Sequence, residues 1–130
     1  MHRLTRSSTQ RAIRLALLVA CLALAVPRHG VADDLTGGGD PARGAALIGK
    51  IGCGACHSIP GVAGANGRVG PPLDNIGERT IIAGLLANTP ANLVTWLKSP
   101  QSIVPGNAMP NMGLNDHDAQ DIAAYLETLR

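Results

Sequence analysis

The sequence predicts an all-α domain of about four to five short helices, wrapped around something the chain does not itself supply. Three observations carry that expectation. No segment alternates apolar and polar residues with the period of two that a half-buried strand requires. Cap-then-proline signals mark helix starts at Asp40-Pro41 and Thr89-Pro90, and Asn115 opens a last stretch of helical periodicity. Hydrophobic residues make up 45% of the 130 residues but aromatic ones only 2%, with one Trp, one Tyr and no Phe. A domain this small then lacks the large rings that usually fill a core.

Residues 1–32 read as an export signal. Arg3, Arg6, Arg11 and Arg14 form a basic start, and Leu15 to Val26 is an unbroken apolar run that Pro27 ends. Gly30-Val31-Ala32 then places small residues where a signal peptidase cuts, which predicts cleavage before Asp33 and export to the periplasm. As an anchor the run is short, since twelve helical residues span about 18 Å of a ~30 Å hydrocarbon core. A rival reading takes Leu18-Val19-Ala20-Cys21 as a lipobox that would acylate Cys21 and tether the protein. The apolar run continues past Cys21 to Val26, whereas a lipobox closes the run. Membrane contact is expected only if the signal segment or Cys21 provides it.

The signal also changes the charge. The whole chain carries a formal +2, but five of its eleven basic residues and none of its nine acidic ones lie in residues 1–32. Residues 33–130 therefore hold six basic and nine acidic side chains, a net −3. With no Lys/Arg cluster on any expected element, nucleic-acid binding is excluded. Three cysteines are too few for a disulfide-built fold.

Residues 33–39, with Gly37-Gly38-Gly39, form a flexible lead-in, and residues 40–130 the domain. The first helix runs from Pro41 to about Gly52 with Leu47, Ile48 and Ile51 on its apolar face. Residues 58–74, with four glycines and Pro71-Pro72, are loop. A short helix is expected around Asn75–Leu86, and the next runs from Pro90 through Leu93, Trp96 and Leu97 until Pro100 stops it. Residues 99–113 form a second loop. The last helix starts at Asn115, with Asp118 completing a capping-box variant and Ile122, Tyr125, Leu126 and Leu129 on one face. Loops this long belong to chains that line a ligand. With the missing core volume, they point to a large apolar group in the middle.

Cys53-Gly54-Ala55-Cys56-His57 names that group, because C-x-x-C-H is the signature of covalent c-type haem attachment. The two thiols reach two vinyl groups on one side of a porphyrin, and the adjacent histidine turns its imidazole onto the iron. A redox dithiol would sit in a βαβ context, which is absent, and a zinc site would find only His117 as a further ligand besides the motif. His117 itself lies on the polar first turn of the last helix and reads as a surface residue. For the iron's other axial position the residues offer two thioethers, Met109 and Met112. Met109 is flanked by Pro105 and Pro110, which stiffen its loop, while Met112 fits a flexible gap-filler.

Over residues 40–130 the chain resembles the class I c-type cytochromes. The matching runs are G-x-x-L-x-x-x-x-G-C-x-x-C-H (Gly44 to His57), G-P-x-L followed by an arginine (Gly70 to Arg79), P-G-x-x-M-P (Pro105 to Pro110) and the terminal D-I-x-x-Y-L-x-x-L. The likeness is strongest to the cytochrome c domain fused to subunit II of some bacterial haem–copper oxidases, through G-P-P-L-x-x-I-G-x-R-x-I-I-A-G and N-T-P-x-N-L-x-x-W-L-x-x-P-Q. The domain is expected to stand alone behind an export signal, so the copper-binding function of that subunit is not carried over. The resemblance implies the cytochrome c fold, with one covalent haem c and with first and last helices crossing at Gly44 and Tyr125, where the glycine admits the ring. It assigns the iron to His57 and Met109, and cofactor-binding positions to Cys53, Cys56, Pro71, Leu73, Arg79, Trp96 and Asn107. By that likeness the Pro71 carbonyl holds the His57 Nδ1–H, Leu73 packs on the haem, and Arg79 and Trp96 meet its propionates. Ile48 stands where the family usually has an aromatic residue, so that contact is expected to be leaner.

An iron with both axial positions filled suits one-electron transfer without catalysis at the metal. The expectation is a periplasmic monohaem electron carrier working between respiratory or dehydrogenase partners. The alternatives are a haem c subunit held in a larger oxidase or dehydrogenase complex, and a haem peroxidase or gas sensor, which would need Met109 absent or labile.

Overall fold

A computed structural model describes residues 38–130 of the protein. The segment expected to be an export signal, Cys21 and most of the expected lead-in lie outside the described residues. Helix α1 (Pro41–Ile51) forms where the sequence places it. The Asp40 carboxylate accepts from the backbone N–H groups of Ala42 (2.9 Å) and Arg43 (3.2 Å), and Pro41 occupies a position that needs no donor. Gly52, in the left-handed region, closes the helix, and a 3₁₀ turn, Cys53–Ala55, follows at once. Helix α2 (Pro90–Lys98) is capped by Thr89, whose Oγ1 accepts from Asn92 at 3.2 Å. Pro100 ends α2 as expected but also starts a single further turn, α3 (Pro100–Ile103), where loop was expected. Helix α4 (Asp116–Thr128) closes the chain. Asn115 Oδ1 accepts from the Asp118 N–H at 2.9 Å while Asp118 Oδ2 accepts from Asn115 Nδ2 at 2.8 Å, a side-chain version of the capping box.

The helix expected around Asn75–Leu86 does not form. In its place stand a 3₁₀ turn, Ile76–Glu78, and a minimal antiparallel hairpin, β1 (Ile81–Ile82) with β2 (Leu86–Ala87). The Leu85 N–H returns to the Ile82 carbonyl at 3.1 Å across Ala83 (φ 54°) and Gly84 (φ 69°). Two successive left-handed residues are what a tight hairpin turn demands and what a helix forbids. Asn88 fastens the hairpin's end, its Nδ2 donating to the carbonyls of Ile76 (2.7 Å) and Arg79 (2.8 Å).

Helices α1 and α4 cross at very short range. A Cβ on Gly44 would lie 2.0 Å from the Asp121 carbonyl oxygen and 3.0 Å from the Tyr125 Cβ. The glycine therefore admits the backbone of α4 itself, rather than the Tyr125 ring that the likeness implied. That ring passes on to the 58–74 loop, where its hydroxyl donates to the Pro60 carbonyl at 2.6 Å. The crossing is fastened by Asp121, 7% exposed, which accepts from the Asp40 N–H at 2.7 Å and pairs with the Arg43 guanidinium. Ala119, Ile122, Ala123 and Leu126 form the buried face of α4, meeting Ile48 from α1 and Leu93 and Leu97 from α2. Ile48 fits this contact at 1% exposure.

Candidate functional site: a haem cleft

Inside that core lies a cleft of about 460 Å³. Eight of the ten core residues also line it, so it is the centre of the fold and no dent on its surface. The low aromatic content has its structural counterpart here, in space that no side chain fills.

One wall is built from backbone. After α1 the chain turns through Cys53, Cys56 and His57, all half-buried on the cleft. Gly70 N–H donates to the Cys56 carbonyl at 2.9 Å and Leu73 N–H to the Ser58 carbonyl at 2.8 Å, which folds the 58–74 loop back on the motif. The same fold-back sets the Pro71 carbonyl 2.8 Å from His57 Nδ1. A carbonyl only accepts, so Nδ1 carries the proton and Nε2 keeps its lone pair for a metal. Gly70 lies flat against the ring, where a Cβ would sit 2.3 Å from His57 Cε1. Cys53 and Cys56 form no disulfide with each other. Burial pushes the Cys53 thiol above its ordinary pKa.

The other wall carries Met109, held by side chains. Its N–H donates to Asn107 Oδ1 at 2.7 Å and its carbonyl accepts from Gln101 Nε2 at 2.7 Å. Asn107 is in turn fixed by its Nδ2, which donates to the carbonyls of Pro100 (3.0 Å) and Val104 (2.6 Å). Asn107 thus works as a clamp on the methionine loop as well as lining the cleft. Met112 reaches the same cleft, but its backbone makes none of these bonds.

The remaining expected positions also converge. Leu73 and Trp96 line the cleft half-buried, and Trp96 Nε1 makes no hydrogen bond within the described chain. Arg79 lines it too, with Nη2 donating to the carbonyls of Pro72 (2.6 Å) and Asp74 (2.9 Å) and no acidic side chain paired with it among the described residues. A guanidinium and an indole N–H left facing an apolar cleft are suited to anionic groups on its occupant. His117 is exposed on α4, as expected. Gln101 is the residue that sequence reasoning missed. It stands in the P-Q pair of the oxidase-like run, but nothing in a sequence says that an amide will bind backbone carbonyls several residues on.

A C-x-x-C-H turn, a histidine braced through Nδ1, and a large apolar cleft in a mostly helical domain define a c-type cytochrome. The match to known proteins agrees: a model of the cytochrome c family covers residues 41–130, and the chain belongs to that family. It is 39% identical over 79 residues to cytochrome c oxidase subunit 2 of Alkalihalophilus pseudofirmus, covering 60% of this chain and 22% of the relative. To the same subunit of Bacillus subtilis it is 35% identical over 92 residues, 68% of this chain and 26% of the relative. Against cytochrome c2 of Rhodopila globiformis it is 36% identical over 104 residues, 71% of this chain and 95% of the relative. The chain thus spans about a quarter of the oxidase subunits but nearly the whole cytochrome c2. The family carries covalently bound haem c and transfers electrons, and the residues lining the cleft fit that group.

Proposed function

We propose that this cytochrome is an exported, single-haem electron carrier whose iron is held between His57 and Met109, working between redox proteins of the periplasm. The observation that carries the reading is the double pinning of Met109, at both N–H and C=O, beside the cleft that His57, braced through Nδ1, also lines. When bound, the haem supplies a one-electron couple at its iron. The chain's own part is to fix both axial side chains, exclude water with Ile48, Leu93, Leu97 and Ile122, and offer Arg79 and Trp96 to the propionates. With the haem bound, His57 and Met109, each braced by the fold, would hold the iron and leave little of this chain to rearrange on a one-electron change, and little access for oxygen or peroxide.

The absorption spectrum of the ferric holoprotein tests the ligand assignment. The far-red band typical of methionine–iron ligation is expected in the wild type and in Met112→Ala, and is lost in Met109→Ala. A high-spin ferric wild type overturns it. The rim of the cleft is uncharged where it is exposed, at Val69, Pro71, Ala83, Ala108 and Pro110. Docking there is apolar, so exchange rates with partners vary little with ionic strength. The likeness to oxidase subunit 2 supports a second reading, a haem subunit held in a complex. Co-purification with a membrane oxidase under moderate salt favours it over a free carrier. Mass analysis of the exported protein settles residues 1–32: a start at Asp33 supports simple cleavage, and an acylated Cys21 a tether.

A further inference from the structure

Met109 sits in a segment without regular structure, and a residue outside that segment holds it. Gln101, the second residue of α3, directs its side-chain amide across the loop. Its Nε2 donates to the carbonyls of Asn107 (2.9 Å) and Met109 (2.7 Å), and its Oε1 accepts from the Gly106 N–H at 3.1 Å. Only a primary amide offers two donors and an acceptor at one end, and all three functions are engaged with backbone of the one loop. Glutamate of the same length would set a carboxylate against two carbonyl oxygens. An apolar side chain would leave two carbonyls without partners in a half-buried site and return the exposed Gly106 N–H to water.

We propose that Gln101 is a positioning residue that sets how firmly the Met109 thioether is presented to the iron, and therefore how tightly the sixth position is closed to other ligands. The inference rests on Met109 being the axial ligand. A loop released from Gln101 spends more time with the sulfur withdrawn, and a competing ligand gains affinity in proportion to that open fraction.

The test is an imidazole titration of the ferric holoprotein for the wild type, Gln101→Glu, Gln101→Met and Met109→Ala, with hydrogen exchange at the Gly106 amide read alongside. Imidazole is expected to bind about tenfold more tightly to both Gln101 variants than to the wild type, the loss of two modest hydrogen bonds, and most tightly to Met109→Ala. Exchange at Gly106 accelerates in Gln101→Met, which has no acceptor, and stays near wild type in Gln101→Glu, which keeps one. A general loss of packing would accelerate both alike. Wild-type imidazole affinity in both Gln101 variants, with tight binding to Met109→Ala, overturns the role of Gln101 alone. Wild-type affinity in Met109→Ala overturns the ligand assignment, and this inference with it.

Discussion

The two walls of the haem cleft are held by different means. The His57 wall is backbone bonded to backbone, with Gly70 and Leu73 folding the loop onto the Cys–His turn and Pro71 bracing the imidazole. The Met109 wall is held by two side-chain amides, Gln101 and Asn107, which stand in for secondary structure the segment lacks. A backbone-built wall has no side chain to remove and yields only where one is added, as a Cβ at Gly70 would be. A wall of side-chain amides loosens one substitution at a time, so under the proposed His57/Met109 ligation the methionine side is where ligand strength is adjustable.

Four substitutions probe the two walls and their surroundings, the most damaging first. Gly44→Ala acts on the helix crossing beneath both walls. Its Cβ would lie 2.0 Å from a backbone oxygen that has nowhere to go, so urea unfolding of the holoprotein should show a loss of about 3 kcal/mol, the upper end for overpacking. Gly70→Ala strikes the His57 wall alone. With a Cβ 2.3 Å from the ring, the imidazole must swing off the Pro71 carbonyl, at a cost of about 2 kcal/mol and with a shifted reduction potential in a redox titration. Asn107→Ala releases the Met109 N–H and two loop carbonyls. It should cost about 1 kcal/mol of stability yet weaken the far-red band, whereas Gly70→Ala leaves that band in place.

The smallest effect lies away from both walls. Burial raises the Glu127 pKa above the usual glutamate range, with Arg130 opposing the shift. A carboxyl that holds its proton more tightly when folded favours the fold at acid pH, and that contribution is lost as pH rises through the raised pKa. Glu127→Gln should therefore raise Tm at neutral pH, on the order of 1 °C after solvent screening. The gain should vanish below the ordinary glutamate range.

Much of this was legible because the signals are local. Asp40-Pro41, Thr89-Pro90 and Asn115 act on N–H groups two or three residues away, so the caps and three main helices follow from short words of sequence. Cys53, Cys56 and His57 are equally local. The hairpin at 81–87 was not, because Ile-Ile-Ala-Gly-Leu-Leu suits a helix until Ala83 and Gly84 adopt left-handed geometry. The crossing at Gly44 was placed correctly, but its partner is the Asp121 backbone, which no side-chain pattern records. Gln101 was silent for the same reason, since carbonyl oxygens have no residue type.

The central claim is that both axial positions of the iron are filled by this chain, and carbon monoxide added to the reduced holoprotein tests it most directly. With His57 and Met109 in place, the wild-type spectrum stays unchanged at neutral pH while Met109→Ala takes up the gas. Carbon monoxide binding by the wild type to the same extent as Met109→Ala would contradict the account.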